Sequence, residues 1–287
     1  MKFAFFGTPS VARDTLALLH SAGYTPAVVV TNPPAPAGRG QILTPSSTHT
    51  WAEEHKLPVL TPALLDTVAV NQIADHGCEY AIVVAYGKIL PELLITAFPH
   101  GVYNIHYSLL PKYRGATPVE TALLNGETET GVTIQHMVYE LDAGDIVAQV
   151  TEPVLSEDTT TTLRARLITR GAELLVQTLP DIEAGAVSLT PQDHGAATYA
   201  RKLAKADGEL NLSAPAAENW NKYRAFTEGP GTFFFTERNG KQMRVKITDA
   251  TRATDGTLKI LKVIPEGKKE MAYEDFLQSR APTDPTA

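Results

Sequence analysis

Two patterns of hydrophobic and polar positions divide the chain at about residue 185. Before that point, short apolar runs alternate with longer segments whose apolar residues recur at helical spacing. The run at 81–86 is apolar at every position, which is typical of an interior strand of a parallel sheet, since such a strand is buried on both faces. The alternation of strands and helices predicts an α/β fold with a Rossmann-like, mostly parallel sheet and flanking helices.

The predicted elements of this α/β part follow the apolar runs. Thr8 is positioned to cap the first helix, with Pro9 at its first position, where the missing N–H of proline costs nothing. Segment 32–47 is rich in Pro, Ala and Gly and is predicted as a long loop without secondary structure, which in a compact domain is usually functional or disordered. The predicted strands lie at 2–6, 27–30, 59–60, 81–86, 102–106, 132–138 and 146–150.

The chain after residue 185 has a different pattern. A polar, poorly periodic stretch leads into short apolar runs, two of which are joined by an Asn-Gly turn at 239–240, and this indicates a small β-rich module. The predicted organisation is an α/β domain at 1–185, a linker at 186–204, a β-rich domain at 205–278 and a disordered, Pro/Thr-rich tail at 279–287.

Composition excludes several classes of protein. Apolar residues make up 43% of the 287 positions and charged residues 20%, which is enough for a sizeable core. Cys78 is the one cysteine, so neither an intramolecular disulfide nor a cysteine-based metal cluster is expected. The histidines lack metal-ligand spacing, no apolar run is long enough to span a membrane, and the N-terminus does not resemble a signal peptide. A cytoplasmic protein without a metal site or membrane contact is therefore expected.

Charge is distributed unevenly along the chain. The formal net charge is −7, yet basic residues outnumber acidic ones in 201–270, whereas acidic residues dominate 1–200. An acidic body with a basic appendage is one interpretation, and it favours a nucleic-acid partner for the C-terminal module. Chance variation over two surfaces is the other interpretation, and charge alone favours it.

Several nucleotide and hydrolase motifs are absent from the sequence. The turn after the first strand reads Gly-Thr-Pro rather than G-x-G-x-x-G, which disfavours a dinucleotide-binding oxidoreductase. G-x-x-x-x-G-K-[ST] does not occur, so a P-loop is excluded. G-x-S-x-G does not occur either, which leaves an α/β-hydrolase with little support.

Asn104 and His106 form a polar pair within the predicted strand 102–106. They are two positions apart, so both side chains point to one face. The sequence Ser-Leu-Leu-Pro that follows places the pair at the carboxyl end of the strand, where open α/β sheets bind ligands. A core histidine beside a structural asparagine is the alternative. The pair and the turn together favour a functional site.

Asp142 is the third polar residue of interest. It lies just past the predicted strand 132–138, in a turn that ends at Gly144. A carboxylate there can raise the pKa of a nearby imidazole and take up a proton. Turn formation alone is the alternative, and for Asp142 considered singly that alternative is favoured.

Together these residues resemble the catalytic motif of the folate-dependent formyltransferases. Within that superfamily the chain is most similar to the methionyl-tRNA formyltransferases, from the first strand to near the C-terminus. The supporting stretches are Phe-Gly-Thr-Pro at 6–9, Pro-Ala-Gly-Arg-Gly at 36–40, Leu-Thr-Pro-Ser at 43–46, Val-Val-Ala-Tyr-Gly at 83–87, Ile-Leu-Pro at 89–91, 198–208 and 265–271.

The resemblance implies a fold, a donor and a set of site residues. The fold is a formyltransferase catalytic domain at 1–185 followed by a shortened OB-like, tRNA-binding domain at 205–278, and the formyl donor is 10-formyltetrahydrofolate, with no metal. The residues implied for catalysis are Asn104, His106 and Asp142. The residues implied for folate binding are Val84, Ala85, Tyr86 and Gly87, with the turn formed by Ser108, Leu109, Leu110 and Pro111.

The resemblance also implies a partner, the initiator methionyl-tRNA, whose formylation prepares it for translation initiation. Arg39 matches the arginine of the loop that enters the tRNA acceptor stem. A monomer is expected. A passive loop and an ordinary solvated lysine surface are the alternatives for these residues. The lysines implied for phosphate contacts are Lys202, Lys205, Lys268 and Lys269.

The chain departs from the family pattern, and rival functions stay open. Residues 32–35 read Asn-Pro-Pro-Ala where an acidic and a basic residue are usual, and the C-terminal module is short. The main alternative is a sugar-nucleotide N-formyltransferase with the same donor and triad. A formyltetrahydrofolate hydrolase, a non-catalytic tRNA-binding module and an oxidoreductase are the others.

Overall fold

The computed structural model describes residues 1–38, 40–238 and 240–278. The predictions for Arg39 and for the tail 279–287 therefore lie outside the described residues. The strands are β1 (Phe3–Gly7), β2 (Val28–Val30), β3 (Ala35–Ala37), β4 (Ile42–Thr44), β5 (Val59–Leu60), β6 (Tyr80–Val84), β7 (Val102–His106), β8 (Arg114–Gly115), β9 (Glu129–His136), β10 (Ile146–Pro153), β11 (Tyr199–Ala200), β12 (Phe233–Arg238), β13 (Lys241–Arg252), β14 (Leu258–Pro265) and β15 (Met271–Ala272). The helices are α1 (Ser10–Ser21), α2 (Ser47–Glu54), α3 (Thr67–Ala74), α4 (Glu92–Ile95), α5 (Pro118–Leu124), α6 (Thr160–Ala184), α7 (Ala216–Ala225) and α8 (Tyr273–Gln278).

The chain divides into two compact units. The first comprises Met1–Gly115, Thr130–Glu152 and Ala165–Tyr199. The second comprises Ala116–Glu129, Pro153–Arg164 and the chain from Ala200 onwards. The domain boundaries predicted at 185, 204 and 278 stay predictions.

A seven-stranded sheet lies at the centre of the first unit, with the strand order β10-β9-β7-β6-β1-β2-β5. The strands from β7 to β5 in this order run parallel to their neighbours, whereas β9 runs antiparallel to β7. Short runs that are apolar on both faces fit the interior of such a sheet. The predicted α/β fold with a mostly parallel sheet and flanking helices is confirmed.

Helices pack on both faces of this sheet and thereby bury its central strands on both sides. Every residue of β1 and of β6 is buried. Phe6 belongs to the same apolar cluster as Ile73 of α3 and Leu94 of α4. Ile105 points to the opposite face, where its side chain meets Gly171 of α6. Asn104 and His106 therefore lie on the face that packs against α3 and α4.

Segment 32–47 contains a short hairpin rather than the loop without secondary structure predicted from its composition. β3 pairs antiparallel with β4, with Ala35 opposite Thr44 and Ala37 opposite Ile42. All residues of both strands are exposed. No alternation of buried and exposed positions therefore marks these strands in the sequence, and the prediction is wrong for that reason.

The second unit contains a four-stranded antiparallel sheet in the order β12-β13-β14-β15. β12 and β13 form the predicted hairpin, with Arg238 opposite Lys241. Asn239 of the predicted turn lies outside the described residues. The small β-rich C-terminal region is thus confirmed, and its assignment as an OB-like domain stays a prediction.

The sheet of the second unit has an apolar core of its own. Phe234, Val245 and Val263 are buried in it, and Phe276 of α8 packs in the same cluster. The rings of Phe234 and Phe276 lie 6.4 Å apart between centroids in an edge-to-face arrangement, which adds to the stabilisation from apolar burial. These strands are therefore built around a hydrophobic core, and the basic residues of β13 and β14 are exposed.

Candidate active site

β7 places Asn104 and His106 on one face of the sheet. Asn104 lies opposite Val83 of β6 and Gln135 of β9, and His106 lies opposite Thr133 of β9. Both side chains are buried, with exposed fractions of 8% and 6%. They come at the carboxyl end of β7, the edge at which open α/β sheets bind ligands. The geometry predicted from their spacing is therefore present.

The loop that follows β9 holds Asp142. The backbone of Asp142 has a φ of 46°, in the left-handed region, and its carbonyl accepts a hydrogen bond of 2.9 Å from Gln192 Nε2. The same amide donates to Gly144 O at 2.6 Å. A Cβ at Gly144 would collide with the carbonyl of His136, so only glycine allows the loop to double back on β9. These contacts fix the position of the Asp142 side chain.

The three candidate catalytic side chains meet at the carboxylate of Asp142. Asn104 Nδ2 lies 3.4 Å from Asp142 Oδ1, and His106 Nδ1 lies 3.7 Å from Asp142 Oδ2. The backbone N–H of Gly115 donates to Oδ2 at 2.8 Å. The carboxylate therefore faces an amide donor on one side and an imidazole on the other, which suits proton transfer beside a polarised carbonyl.

A backbone carbonyl orients the ring of His106. His106 Nε2 lies 2.8 Å from the carbonyl oxygen of Tyr113, and a carbonyl can only accept a hydrogen bond. Nε2 therefore carries a proton. Nδ1, which faces Asp142, is the ring nitrogen left for proton exchange or for donation to a substrate.

Two buried glutamines that the sequence analysis did not identify hold Asp142 in place. Gln135 Nε2 donates to Asp142 Oδ1 at 2.8 Å. Gln192, which braces the backbone of the loop, accepts at Oε1 from Arg114 Nη2 at 2.6 Å and from Arg114 Nε at 3.1 Å. The sequence does contain a signal for Gln135, because Thr133 and Gln135 are polar residues at alternate positions of the otherwise apolar strand β9. Gln192 offers no local signal because it contacts Asp142 across 50 positions.

Two polar groups of the turn 108–111, which is implied for folate binding, make hydrogen bonds within the protein. Ser108 Oγ donates at 2.6 Å to a carbonyl four positions along the chain, and the N–H of Leu110 donates at 3.0 Å to a threonine hydroxyl of β9. Ser108 and Leu110 are buried, whereas Leu109 and Pro111 are half-buried. Leu109 and Pro111 are therefore the members of the turn that have surface left for a ligand.

Thr8 anchors the segment 84–87 instead of capping α1 as predicted. Among the described residues α1 has no side-chain cap, and Thr8 Oγ1 donates to the carbonyl of Tyr86 at 3.0 Å. Asn32 Nδ2 donates to the same carbonyl, also at 3.0 Å. Burial raises the pKa of the Tyr86 phenol to about 12. The segment is thus fixed at Tyr86.

The backbone on either side of Tyr86 fits recognition of a planar heterocycle. β6 ends at Val84, earlier than predicted, because Ala85 adopts a φ of 45° that a strand cannot continue. Ala85 and Gly87 are exposed, whereas Val84 is buried. Since β6 is the neighbour of β7, these exposed peptide groups lie at the sheet edge that carries Asn104. A pteridine ring could be bound there by backbone donors and acceptors.

The four lysines implied for tRNA binding are exposed and lie in the second unit. None of their ammonium groups has a hydrogen-bond or ion-pair partner within 1–38, 40–238 and 240–278. Cations without intramolecular partners can contact phosphates. Along the chain they form two pairs, Lys202 with Lys205 and Lys268 with Lys269.

Two kinds of feature are absent from the part of the chain that the structure describes. No group of three or more His, Cys, Asp or Glu side chains in these ranges could hold a metal ion. No helix in the same ranges is long enough and apolar enough to cross a bilayer.

His136, at the end of β9, is expected to make stability depend on pH. Burial lowers the pKa of His136, and the charge of Asp145 raises it by a smaller amount. The unfolded chain therefore binds a proton at His136 more readily than the folded chain does. The contribution of neutral His136 to the free energy of unfolding is therefore present above a pH of about 6.5 and is lost as the pH falls below that value. We expect the free energy of unfolding to decrease less between about pH 7 and pH 5 in His136→Gln than in the unmodified protein.

The measurement is urea-induced unfolding at a series of pH values, followed by circular dichroism. Since His136→Gln also removes a ring contact with Tyr103, the pH dependence is compared rather than the absolute stability. His55→Gln, at an exposed histidine whose ring also packs on an aromatic side chain, is the matched control for the loss of an imidazole. Equal pH dependence in all three proteins would contradict the assignment to His136.

Comparison with known proteins gives matches to both parts of the chain. The sequence profile described as Formyl transferase matches residues 1–179, and the profile described as Formyl transferase, C-terminal domain, matches residues 202–254. A methionyl-tRNA formyltransferase from Methylobacterium sp. (strain 4-46) is 36% identical over 299 residues, covering 98% of this chain and 96% of the relative. One from Heliobacterium modesticaldum is 43% identical over 245 residues, covering 85% and 77%.

The solved structures similar to this chain agree on the fold. An N-formyltransferase from Helicobacter canadensis, in complex with folinic acid and dTDP-3-aminofucose, superposes with a TM-score of 0.64 over 88% of this chain and 89% of its own. Its sequence is 22% identical, so this likeness concerns the fold alone. The methionyl-tRNA formyltransferases described above are at 36% identity or more over most of the chain. On these matches, the chain belongs to the methionyl-tRNA formyltransferase family.

Proposed function

We propose that this protein transfers the formyl group of 10-formyltetrahydrofolate to the α-amino group of methionine on initiator tRNA. The observation that carries the proposal is the meeting of Asn104, His106 and Asp142 at the carboxyl end of β7. Almost the whole chain is matched by relatives named for this reaction. The product, formyl-methionyl-tRNA, serves translation initiation.

The residues around Asp142 suit an acyl transfer between two nitrogens. The neutral amine attacks the formyl carbon, a new C–N bond forms, and the bond from that carbon to N10 of the folate breaks. Asn104 Nδ2 would donate a hydrogen bond to the oxyanion that develops on the formyl oxygen, and His106 Nδ1 would donate a second one when the ring carries a proton on Nδ1 as well as on Nε2. Asp142 would take the proton released by the amine and pass it to N10, directly or through water, so that charge and atoms balance.

Two segments would bind the folate. The exposed peptide groups of Ala85 and Gly87 would contact the pteridine ring, and buried Tyr86 would hold that segment in place. Leu109 and Pro111 would provide apolar contacts from the turn after β7, while the internal hydrogen bonds of Ser108 and Leu110 keep the turn rigid. Neutral backbone recognition of this kind suits a heterocycle with several donors and acceptors.

The tRNA would be bound through its phosphates. Lys202, Lys205, Lys268 and Lys269 are exposed cations that could contact the backbone of the acceptor arm. Arg39, which lies outside the described residues, is proposed to reach the acceptor stem from the segment between β3 and β4. The protein is proposed to act as a monomer in the cytoplasm, where charged tRNA is available.

A formylation assay with three acceptors tests the function. Purified protein and 10-formyltetrahydrofolate are incubated with initiator methionyl-tRNA, with a nucleotide-linked amino sugar or with no acceptor, and the formylated product and free formate are quantified. Formyl-methionine on the tRNA would support the proposal. Formylation of the amino sugar alone would replace it with a sugar-nucleotide N-formyltransferase, and formate release without an amine would replace it with a hydrolase.

A further inference from the structure

Gln135 is the most deeply buried polar side chain that touches Asp142. Its exposed fraction is 1%, and it lies directly opposite Asn104 in the pairing of β7 with β9. Nε2 donates to Asp142 Oδ1, but Oε1 is buried and has no hydrogen-bond partner among the described residues. The orientation of the amide follows from the carboxylate, because the reverse orientation would press Oε1 against Oδ1.

An unpaired buried acceptor is unfavourable, so Gln135 is a poor choice for stability alone. A buried carbonyl that loses its hydrogen bonds to water and gains none in the protein destabilises the folded state. An apolar side chain of similar volume at this position would remove that cost. The amide at this position therefore contributes something other than stability, and the hydrogen bond that it donates goes to Asp142.

Gln135 and Asn104 are two donors that share one oxygen. Gln135 Nε2 lies 2.8 Å from Asp142 Oδ1, a full hydrogen bond, whereas Asn104 Nδ2 lies 3.4 Å from the same atom. Asp142 Oδ2 is already bonded to the N–H of Gly115. Without Gln135, the nearest donor to Oδ1 would be Asn104, and its amide would be drawn towards the carboxylate.

We propose that Gln135 is a positioning residue that keeps Asn104 available to the reacting formyl group. By satisfying Asp142 Oδ1, it fixes the carboxylate and leaves the Asn104 amide loosely bound, so that Asn104 Nδ2 can donate to the developing oxyanion. Gln135 itself does not touch the substrate, because its Oε1 is closed to solvent. This inference rests on the proposed function and adds a residue to its machinery.

Gln135→Met tests the proposal, since methionine keeps the volume and removes both polar ends. We expect kcat for formyl transfer to fall by about 10-fold to 100-fold, because a small misplacement of a catalytic group costs about this much. The melting temperature should change little, since removal of the unpaired acceptor offsets the loss of the hydrogen bond to Asp142 Oδ1, where Asn104 becomes the replacement donor. Calorimetric titration with tetrahydrofolate should still give the stoichiometry of the unmodified protein, which shows that the lost activity is not a lost fraction of folded sites.

A purely structural role would give the opposite pair of results. The melting temperature would fall, and kcat per folate-binding site would stay within about twofold of the unmodified value; this outcome overturns the proposal. Gln72→Met, at an exposed glutamine of α3, is the matched control and should change neither quantity. The unmodified protein is assayed first on methionyl-tRNA, so an inactive parent counts against the proposed function and not against Gln135 alone.

Gln135→Glu provides a second test that keeps the shape of the side chain. At low pH the introduced carboxyl group and the carboxylate of Asp142 can share one proton, which restores a hydrogen bond to Oδ1, whereas at high pH two carboxylates repel one another. At each pH we take the ratio of kcat per folate-binding site in the variant to that in the unmodified protein. We expect this ratio to be about tenfold lower at pH 8.5 than at pH 6. A ratio that is constant over this range would overturn the proposal.

Discussion

Asp142→Asn is expected to lower kcat for formyl transfer by about 10³-fold or more. Both carboxylate oxygens act as acceptors, Oδ2 from the N–H of Gly115 and Oδ1 from Gln135 Nε2. An asparagine amide has one acceptor oxygen and one NH₂ group, so one of these two donors would face another donor. The variant also loses the basic group that would receive the proton of the amine. The loss should be measured in a single turnover with saturating donor and methionyl-tRNA.

Glu140→Gln is the matched control for Asp142→Asn. Glu140 is an exposed carboxylate in the same loop, so the same chemical change there should leave the rate within about twofold. If Asp142→Asn kept more than about a tenth of the unmodified rate, Asp142 would not be the proton acceptor, and water or the folate itself would have to take that role.

Asn104→Ala is expected to lower kcat by about 10²-fold to 10³-fold, with little change in KM for the folate. Asn104 Nδ2 would donate most strongly when negative charge develops on the formyl oxygen, so its removal should raise the barrier without weakening ground-state binding. The measurement is a full steady-state analysis in both substrates. The long contact of 3.4 Å to Asp142 means that little is lost in the resting protein.

Asn71→Ala, at an exposed position of α3, controls for the loss of an asparagine side chain and should leave both constants unchanged. The informative contrary result would be a higher KM with an unchanged kcat. That result would assign Asn104 to folate binding in the ground state, and the oxyanion would then depend on His106 and backbone donors.

Much of the sheet could be predicted because burial leaves a local pattern in the sequence. The strands predicted at 59–60 and 102–106 have the bounds of β5 and β7. The strand predicted at 81–86 ends earlier, at Val84, because a single positive φ at Ala85 interrupts it, and alanine gives no sign of such a conformation. The hairpin of β3 and β4 could not be predicted because its residues are exposed, so the sequence has no alternation of buried and exposed positions there.

That the candidate catalytic residues lie near one another could be predicted only for the two that are close in the sequence. Asn104 and His106 share a strand, so their spacing alone places them on one face. Asp142 could be linked to them only through the family resemblance, since its turn has no pattern that points to β7. Gln192 was beyond prediction because its partners, the loop of Asp142 and the guanidinium of Arg114, lie 50 and 78 positions away.

The hydrogen bonds of Gln192 set a lower limit on the size of an active fragment. A chain cut at residue 185 would contain Asn104, His106 and Asp142 but would lack the amide that braces the loop around Asp142. Such a fragment would keep the three residues proposed for catalysis and lose the brace that holds Asp142 in its left-handed conformation. The smallest self-sufficient catalytic piece therefore has to extend through Gln192, and a chimaera with a different C-terminal domain should be joined beyond that residue.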